Sequence, residues 1–373
     1  MVHGQDKARN SEELGTTMEI SIVCTNFNKG QWIRETIEGF LMQEFSKDFE
    51  IILVDDCSTD ISKEIISEYT NNYPHLIKAF FHEENQGIAK TWVDACNKAS
   101  GRYIARCDGD DYWTDSLKLQ KQYDALEQSN VSLWCNTDFD IIKPDGEVVF
   151  ESAFQNEQVV RMDSYEKMLA YKGFTMSSTW LVETKLMLSI NETLDLETSD
   201  DTFNLQLELF QKTQLITLND STTVYRLGYE SDSHPVDLEK FIHRHQNLLE
   251  TQLKFLAKYP DANLHKLSEY LFQEVYSREV IVHQQKLTEN ELKNHIRSLG
   301  EQLATISSEK TQLETNKVEL ETNKVELETE INELIDKNKS INDELSKVST
   351  ELTMILNSKR WKWISKILSL FRR

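Results

Sequence analysis

No stretch of the 373 residues reaches the ~18 consecutive apolar side chains that a bilayer-crossing helix needs. Positive charge is scarce: 41 Lys+Arg stand against 63 Asp+Glu, a formal net charge of −22. Phosphate backbones require cationic partners, so nucleic acid is a poor candidate ligand. The five cysteines (Cys24, Cys57, Cys96, Cys107, Cys135) are odd in number and form no CxxC. They read as reduced thiols, which excludes a disulfide frame or a zinc site. Residues 1–17 are polar and lack the apolar core of a signal peptide, so they read as a disordered tail of a cytoplasmic protein. Secreted, collagen-like and integral-membrane classes are thereby excluded. What remains is 39% hydrophobic with a mean hydropathy of −0.53. That suffices for one sizeable core with something very polar attached, and the length suggests two or three units.

From Met18 onward short β-branched runs alternate with helical spacing. Expected strands are 20–24, 49–54, 77–82 and 102–107; expected helices are 32–45, 61–69 and 88–99. Such alternation implies βαβ units and a mostly parallel sheet, in which ligands bind at the carboxyl ends of the strands. The polar clusters at 25–28, 55–60 and 108–111 all fall there. Further along, Pro144-Asp145-Gly146 marks a hairpin, with helices expected at 164–171 and 201–211.

Three acidic sites need a common account: Asp55-Asp56, Asp108-Gly109-Asp110-Asp111, and Ser199-Asp200-Asp201. A lone Asp-x-Asp is usually a turn, and an Asp at a helix start an N-cap. As a set they suit a donor that leaves as a diphosphate. Two carboxylates on a tight loop, with Gly109 permitting the sharp turn, present hard oxygens to a divalent cation. A separate carboxylate, Asp201, is then available to deprotonate an attacking hydroxyl. Asp56 and Phe27 could hold an uncharged ribose and base.

The segments 21–29, 52–60, 85–90, 99–104, 108–113, 199–201 and Tyr225-Arg226 together resemble the family 2 glycosyltransferases, of bacterial cell-envelope polysaccharide type. That resemblance covers residues 19–228 and implies a GT-A fold, Rossmann-like, with a mostly parallel mixed sheet flanked by helices. It implies inverting, metal-dependent transfer of a sugar from a nucleotide-sugar donor, most simply a UDP-sugar, to a hydroxyl of a glycan or lipid-linked acceptor. By the same resemblance Thr25, Phe27 and Asp56 hold the nucleoside and Lys90 lies near the phosphates. Asp108 contacts ribose or metal, Asp110 is the principal ligand of Mn²⁺ or Mg²⁺, and Asp201 is the base, with Asp200 beside it. Trp113, Arg226 and His234 are further substrate candidates, core packing being the alternative for Trp113 and an ordinary exposed loop residue for His234. A sugar nucleotidyltransferase also uses metal-binding aspartates on an α/β sheet, and a non-catalytic coiled-coil scaffold with a degenerate sugar-nucleotide domain is the remaining alternative.

The organisation expected is a tail over 1–17, a GT-A domain over 18–232, a helical extension over 233–290, a coiled coil over 291–357 and a basic helix over 358–373. Apolar residues from Ile296 to Ile355 keep one heptad frame, and Glu-Thr-Asn-Lys-Val-Glu-Leu occurs twice in succession from Glu314, the pattern of a left-handed coiled coil. A homo-oligomer, dimer or trimer, follows from that frame. Residues 359–373 hold six basic side chains and no acidic one. On a helical wheel Trp361, Trp363, Ile364, Ile367, Leu368, Leu370 and Phe371 share one half, as in a helix lying on a membrane surface. Peripheral attachment to the inner face of the cell membrane is the expectation, docking on the protein's own acidic body the alternative.

Overall fold

A computed structural model describes residues 18–196, 201–228, 237–312 and 317–357. The chain divides into two units, residues 1–235 and 236–373.

The first unit opens as the periodicity predicts. Strand β1 (Ile20–Asn26), helix α1 (Ile33–Leu41), β2 (Phe49–Asp55), α2 (Ser62–Asn72), β3 (Ile77–Phe81), α3 (Ile88–Cys96) and β4 (Tyr103–Asp108) form successive βα units. β1 pairs in parallel with β2 and with β4, and β2 with β3. Isoleucine, valine and cysteine along β1 and β2 are wholly buried, as befits strands covered on both faces. The helices press their apolar stripes onto the two sides. Ile33, Ile37, Phe40, Ile65 and Ile66 join one core cluster, while Trp92, Ala95 and Cys96 join the other.

The second half departs from simple alternation. It comprises β5 (Tyr112–Trp113), α4 (Lys118–Glu127), β6 (Trp134–Ile142), β7 (Val148–Phe150), α5 (Tyr165–Tyr171), a 3₁₀ turn at Ser177–Thr179, β8 (Leu181–Glu183), α6 (Thr184–Asn191), α7 (Asp201–Lys212) and β9 (Leu215–Arg226). The sheet runs β3-β2-β1-β4-β8-β6-β9-β5, with β7 on β6 across the expected hairpin. β8 is antiparallel to both β4 and β6, whereas β6 and β9 run parallel. The sheet is therefore mixed, and its parallel half presents the carboxyl ends of β1, β2 and β4 on one edge.

In the second unit α8 (Leu238–Lys258), α9 (Leu264–Gln312) and α10 (Lys317–Asn357) are all helical. Arg278 of α9 is hydrogen-bonded to Glu351 of α10, and His245 of α8 lies 3.4 Å from the same carboxylate. A contact across 73 residues of sequence requires α10 to run back along α9. Leu299 and Leu334 are buried, and Leu327, Ile331, Ile341, Leu345 and Val348 are half-buried. The leucine frame thus has a partner inside the chain, and a second chain is not needed to explain it. The basic segment 358–373 lies outside the described residues, and no described helix is long and apolar enough to cross a membrane.

Candidate functional site

Register brings the first candidates together. Thr25 pairs with Asp108 across β1–β4, and Asn26 with Asp55 across β1–β2. The two aspartates that end β2 then divide their work. Asp55 is buried and structural: it accepts from Asn26 Nδ2 at 2.7 Å, from the Ser58 amide at 2.9 Å and from Ser58 Oγ at 2.6 Å. Asp56 turns the other way, under the loop before α3. Its Oδ1 accepts from the Gln86 amide at 2.9 Å and its Oδ2 from the Gly87 amide at 3.0 Å. Gly87 starts α3 with φ +87°, a backbone state that side chains disfavour. Phe27 is exposed in the loop after β1, and Lys90 is half-buried on α3.

The acidic loop after β4 is the best-anchored part of the edge. Asp108 Oδ1 lies 3.3 Å from Arg106 Nε, and Oδ2 accepts from Ser177 Oγ at 3.2 Å. Arg106 is buried, its guanidinium 4.3 Å from the Trp92 ring centroid and 5.8 Å from that of Trp180. Asp110 Oδ2 accepts from Lys29 Nζ at 2.5 Å. Asp111 is fully enclosed: Ser178 Oγ donates to it at 2.5 Å and the Arg226 amide at 3.1 Å. Burial, then the neighbouring charges of Asp110 and Asp108, push its carboxyl well above the usual range. Gly109 is needed for closeness, because a Cβ there would stand 2.7 Å from Asn26 Oδ1; the sharp turn expected from sequence is not the reason.

Arg226 clamps this loop from β9. Its Nε donates to the Asp110 carbonyl at 3.2 Å and its Nη2 to Glu35 at 2.6 Å, between the rings of Trp32 and Tyr112. Arg226 therefore joins the edge as an organiser of the loop. Trp113 does not line it. The indole is 2% exposed, packs on Phe40 and spends its N–H on the Ser178 carbonyl, so the core-packing alternative holds. Trp180 is likewise buried. Asp201 is the first residue of α7, whereas Asp200 and His234 lie outside the described residues.

Asp108 and Asp110 keep 30% and 23% of their side chains exposed, and Asp110 already holds a cation in Lys29. No group of three or more His, Cys, Asp or Glu gathers among the described residues to hold a metal. This donor set fits Mg²⁺ or Mn²⁺, which is commonly held by one or two carboxylates and completed by water and substrate phosphate. Sequence reading missed Lys29, Arg106, Ser177 and Ser178. A signal existed for Arg106 alone, two residues from Asp108 and hence on the same face of the strand.

Residues 21–176 match the family model described as Glycosyl transferase family 2. An uncharacterized protein of Mycobacterium tuberculosis is 39% identical over 127 residues, 34% of this chain and 37% of that one. The putative teichuronic acid biosynthesis glycosyltransferase TuaG of Bacillus subtilis is 32% identical over 127 residues, 34% of this chain and 49% of its own. The matched stretch thus spans less than half of either relative. Among solved structures, S. aureus TarS residues 1–349 in complex with UDP align with a TM-score of 0.51 at 19% identity, over 69% of this chain and 70% of that one. The likeness shows the GT-A fold.

Proposed function

We propose that this chain, whose residues 21–176 form a family 2 glycosyl transferase domain, transfers a sugar from a nucleoside diphosphate donor to a hydroxyl of a cell-envelope glycan or lipid-linked acceptor. One observation carries the reading: Thr25, Asp56, Asp108 and Asp110 converge at the carboxyl ends of β1, β2 and β4, where α/β sheets bind ligands. A UDP-sugar is the donor of choice, since TarS was solved with UDP and with UDP-GlcNAc. TuaG, by its name a teichuronic acid enzyme, supports an envelope acceptor.

In this reading Thr25, Phe27 and Asp56 hold the nucleoside and Lys90 approaches the diphosphate. Asp110, with Asp108, would hold Mn²⁺ or Mg²⁺. Such an ion, when bound, supplies positive charge to a departing diphosphate. Asp201 takes the proton of the acceptor hydroxyl, whose oxygen bonds to the anomeric carbon from the side opposite the diphosphate. The carbon–oxygen bond to the diphosphate breaks with its electron pair, and the configuration inverts. Arg226 keeps the Asp110 carbonyl fixed, so the two metal-facing carboxylates hold their separation. Residues 358–373 seat the chain on an anionic membrane surface.

The test is transfer itself. UDP release in the presence of an acceptor, monitored for wild type and Asp110→Asn, should fall at least a hundredfold in the variant. Equal rates would remove Asp110 from the chemistry.

A further inference from the structure

His82 follows β3 and is only 10% exposed at its side chain. Both ring nitrogens face carboxylates: Nδ1 lies 2.8 Å from Asp56 Oδ1 and Nε2 lies 3.1 Å from Asp94 Oδ2. A neutral imidazole carries one N–H and one lone pair. It would satisfy one carboxylate and set a lone pair against the other. Only the imidazolium donates to both. The backbone adds a fixed point, since the His82 amide donates to the Asp55 carbonyl at 2.9 Å.

The other charges around the ring are few. Lys98, just past the end of α3, donates from Nζ to Asp94 Oδ1 at 2.9 Å, so Asp94 is shared between Lys98 and His82. Glu83 and Glu84 follow on the loop and are exposed. Burial alone lowers the affinity of the ring for its proton, but the hydrogen bonds to Asp56 and Asp94 outweigh it and the net shift is upward.

Asp56, at the other end of this hydrogen-bonded chain, directly follows β2 at the edge that forms the candidate site. Three donors hold it: His82 Nδ1 and the Gln86 amide on Oδ1, and the Gly87 amide on Oδ2. A carboxylate oxygen accepts about two hydrogen bonds, so Oδ2 keeps one acceptor position for a nucleobase N–H. The direction of that position is set by the three donors together.

We propose that His82, as an imidazolium bridging Asp56 and Asp94, is the positioning residue for the nucleobase-reading carboxylate, making donor affinity proton-linked. This rests on the nucleotide-sugar reading given above. Raising pH removes one N–H, turns a lone pair onto a carboxylate and loosens Asp56 with its 85–87 loop. Donor affinity therefore falls with rising pH as His82 deprotonates, by about three- to tenfold, the range of one lost hydrogen bond.

The experiment is UDP binding to the full chain by calorimetry at constant Mg²⁺ between pH 5.5 and 9. UDP's own phosphate titration is common to all variants, so each profile is divided by that of His82→Gln. The wild-type ratio should fall by about three- to tenfold and level off, and Asp94→Asn should move its midpoint to lower pH. In parallel, ¹⁵N spectra of histidine-labelled protein should show both His82 nitrogens protonated at pH 6.5. A flat wild-type ratio, an unmoved Asp94→Asn midpoint or a singly protonated His82 overturns the inference. If UDP binds with a flat ratio, only the His82 role fails; if UDP binds at no pH, the nucleotide-donor reading fails with it.

Discussion

Lys29 Nζ stands 2.5 Å from Asp110 Oδ2, so a divalent ion arriving at that oxygen competes with an ammonium. The pair is part-exposed, and such pairs contribute up to about 1 kcal/mol. Lys29→Met should therefore tighten Mn²⁺ binding in the absence of nucleotide by up to about fivefold, read from the free-ion signal in electron paramagnetic resonance. Unchanged or weaker Mn²⁺ binding would show that Lys29 is no competitor. Asp201→Asn is expected to lower turnover by about 10²–10⁴-fold, the usual contribution of a positioned base, while UDP affinity stays as in wild type; turnover within a few-fold of wild type would exclude Asp201 as the base. The carboxylates themselves were legible because their spacing after strands is local. Their partners were not. Lys29 reaches Asp110 across 81 residues and Ser178 reaches Asp111 across 67, separations that no local pattern encodes.

Single elements show where periodicity stops informing. Helix α4 went unseen because Lys118 and Gln122 interrupt the apolar stripe of Leu119 and Leu126 on its buried face. Lys118 and Gln122, one turn apart, are both wholly buried, with Lys118 Nζ 2.5 Å from Gln122 Oε1, 3.3 Å from the Thr179 carbonyl and over the Trp113 ring. A neutral amine satisfies both acceptors with its two N–H groups, and burial pulls the Lys118 pKa down to about 8. Unfolded, it returns to its ordinary value of about 10.4. Between these values the unfolded chain binds more protons, so this group makes stability rise with pH across that window. Lys118→Met should remove roughly 1–3 kcal/mol of that rise, measured as urea unfolding free energies of both proteins at pH 8 and pH 10. Parallel slopes would mean that Lys118 stays charged in the fold. The first half of the sheet was legible because β1, β2 and β4 are apolar runs closed by polar turns. The second half was not, because β5 has two residues and β8 three, too short for alternation to register.

Over the whole molecule, the heptad repeat announced a coiled coil without naming its partner, since a seam between two helices looks the same within a chain as between chains. Pairing of α10 with α9, tied at Glu351 to Arg278 and His245, predicts one protomer mass of 43.6 kDa in light scattering at micromolar concentration. Twice or three times that mass would mean that helices also pair between chains. Removing residues 359–373 should abolish sedimentation with anionic liposomes while leaving turnover on a soluble acceptor intact; undiminished sedimentation would place membrane contact elsewhere or nowhere. Both features surround the central claim, that the edge formed by β1, β2 and β4 cleaves a nucleoside diphosphate sugar. The most direct test is release of nucleoside diphosphate from UDP-, GDP- and dTDP-sugars with Mn²⁺, each repeated with EDTA and with Asp110→Asn. Release is expected from a UDP-sugar, and it is lost with EDTA and lost in the variant. No release from any donor, with no binding of any of the three nucleotides, would contradict it.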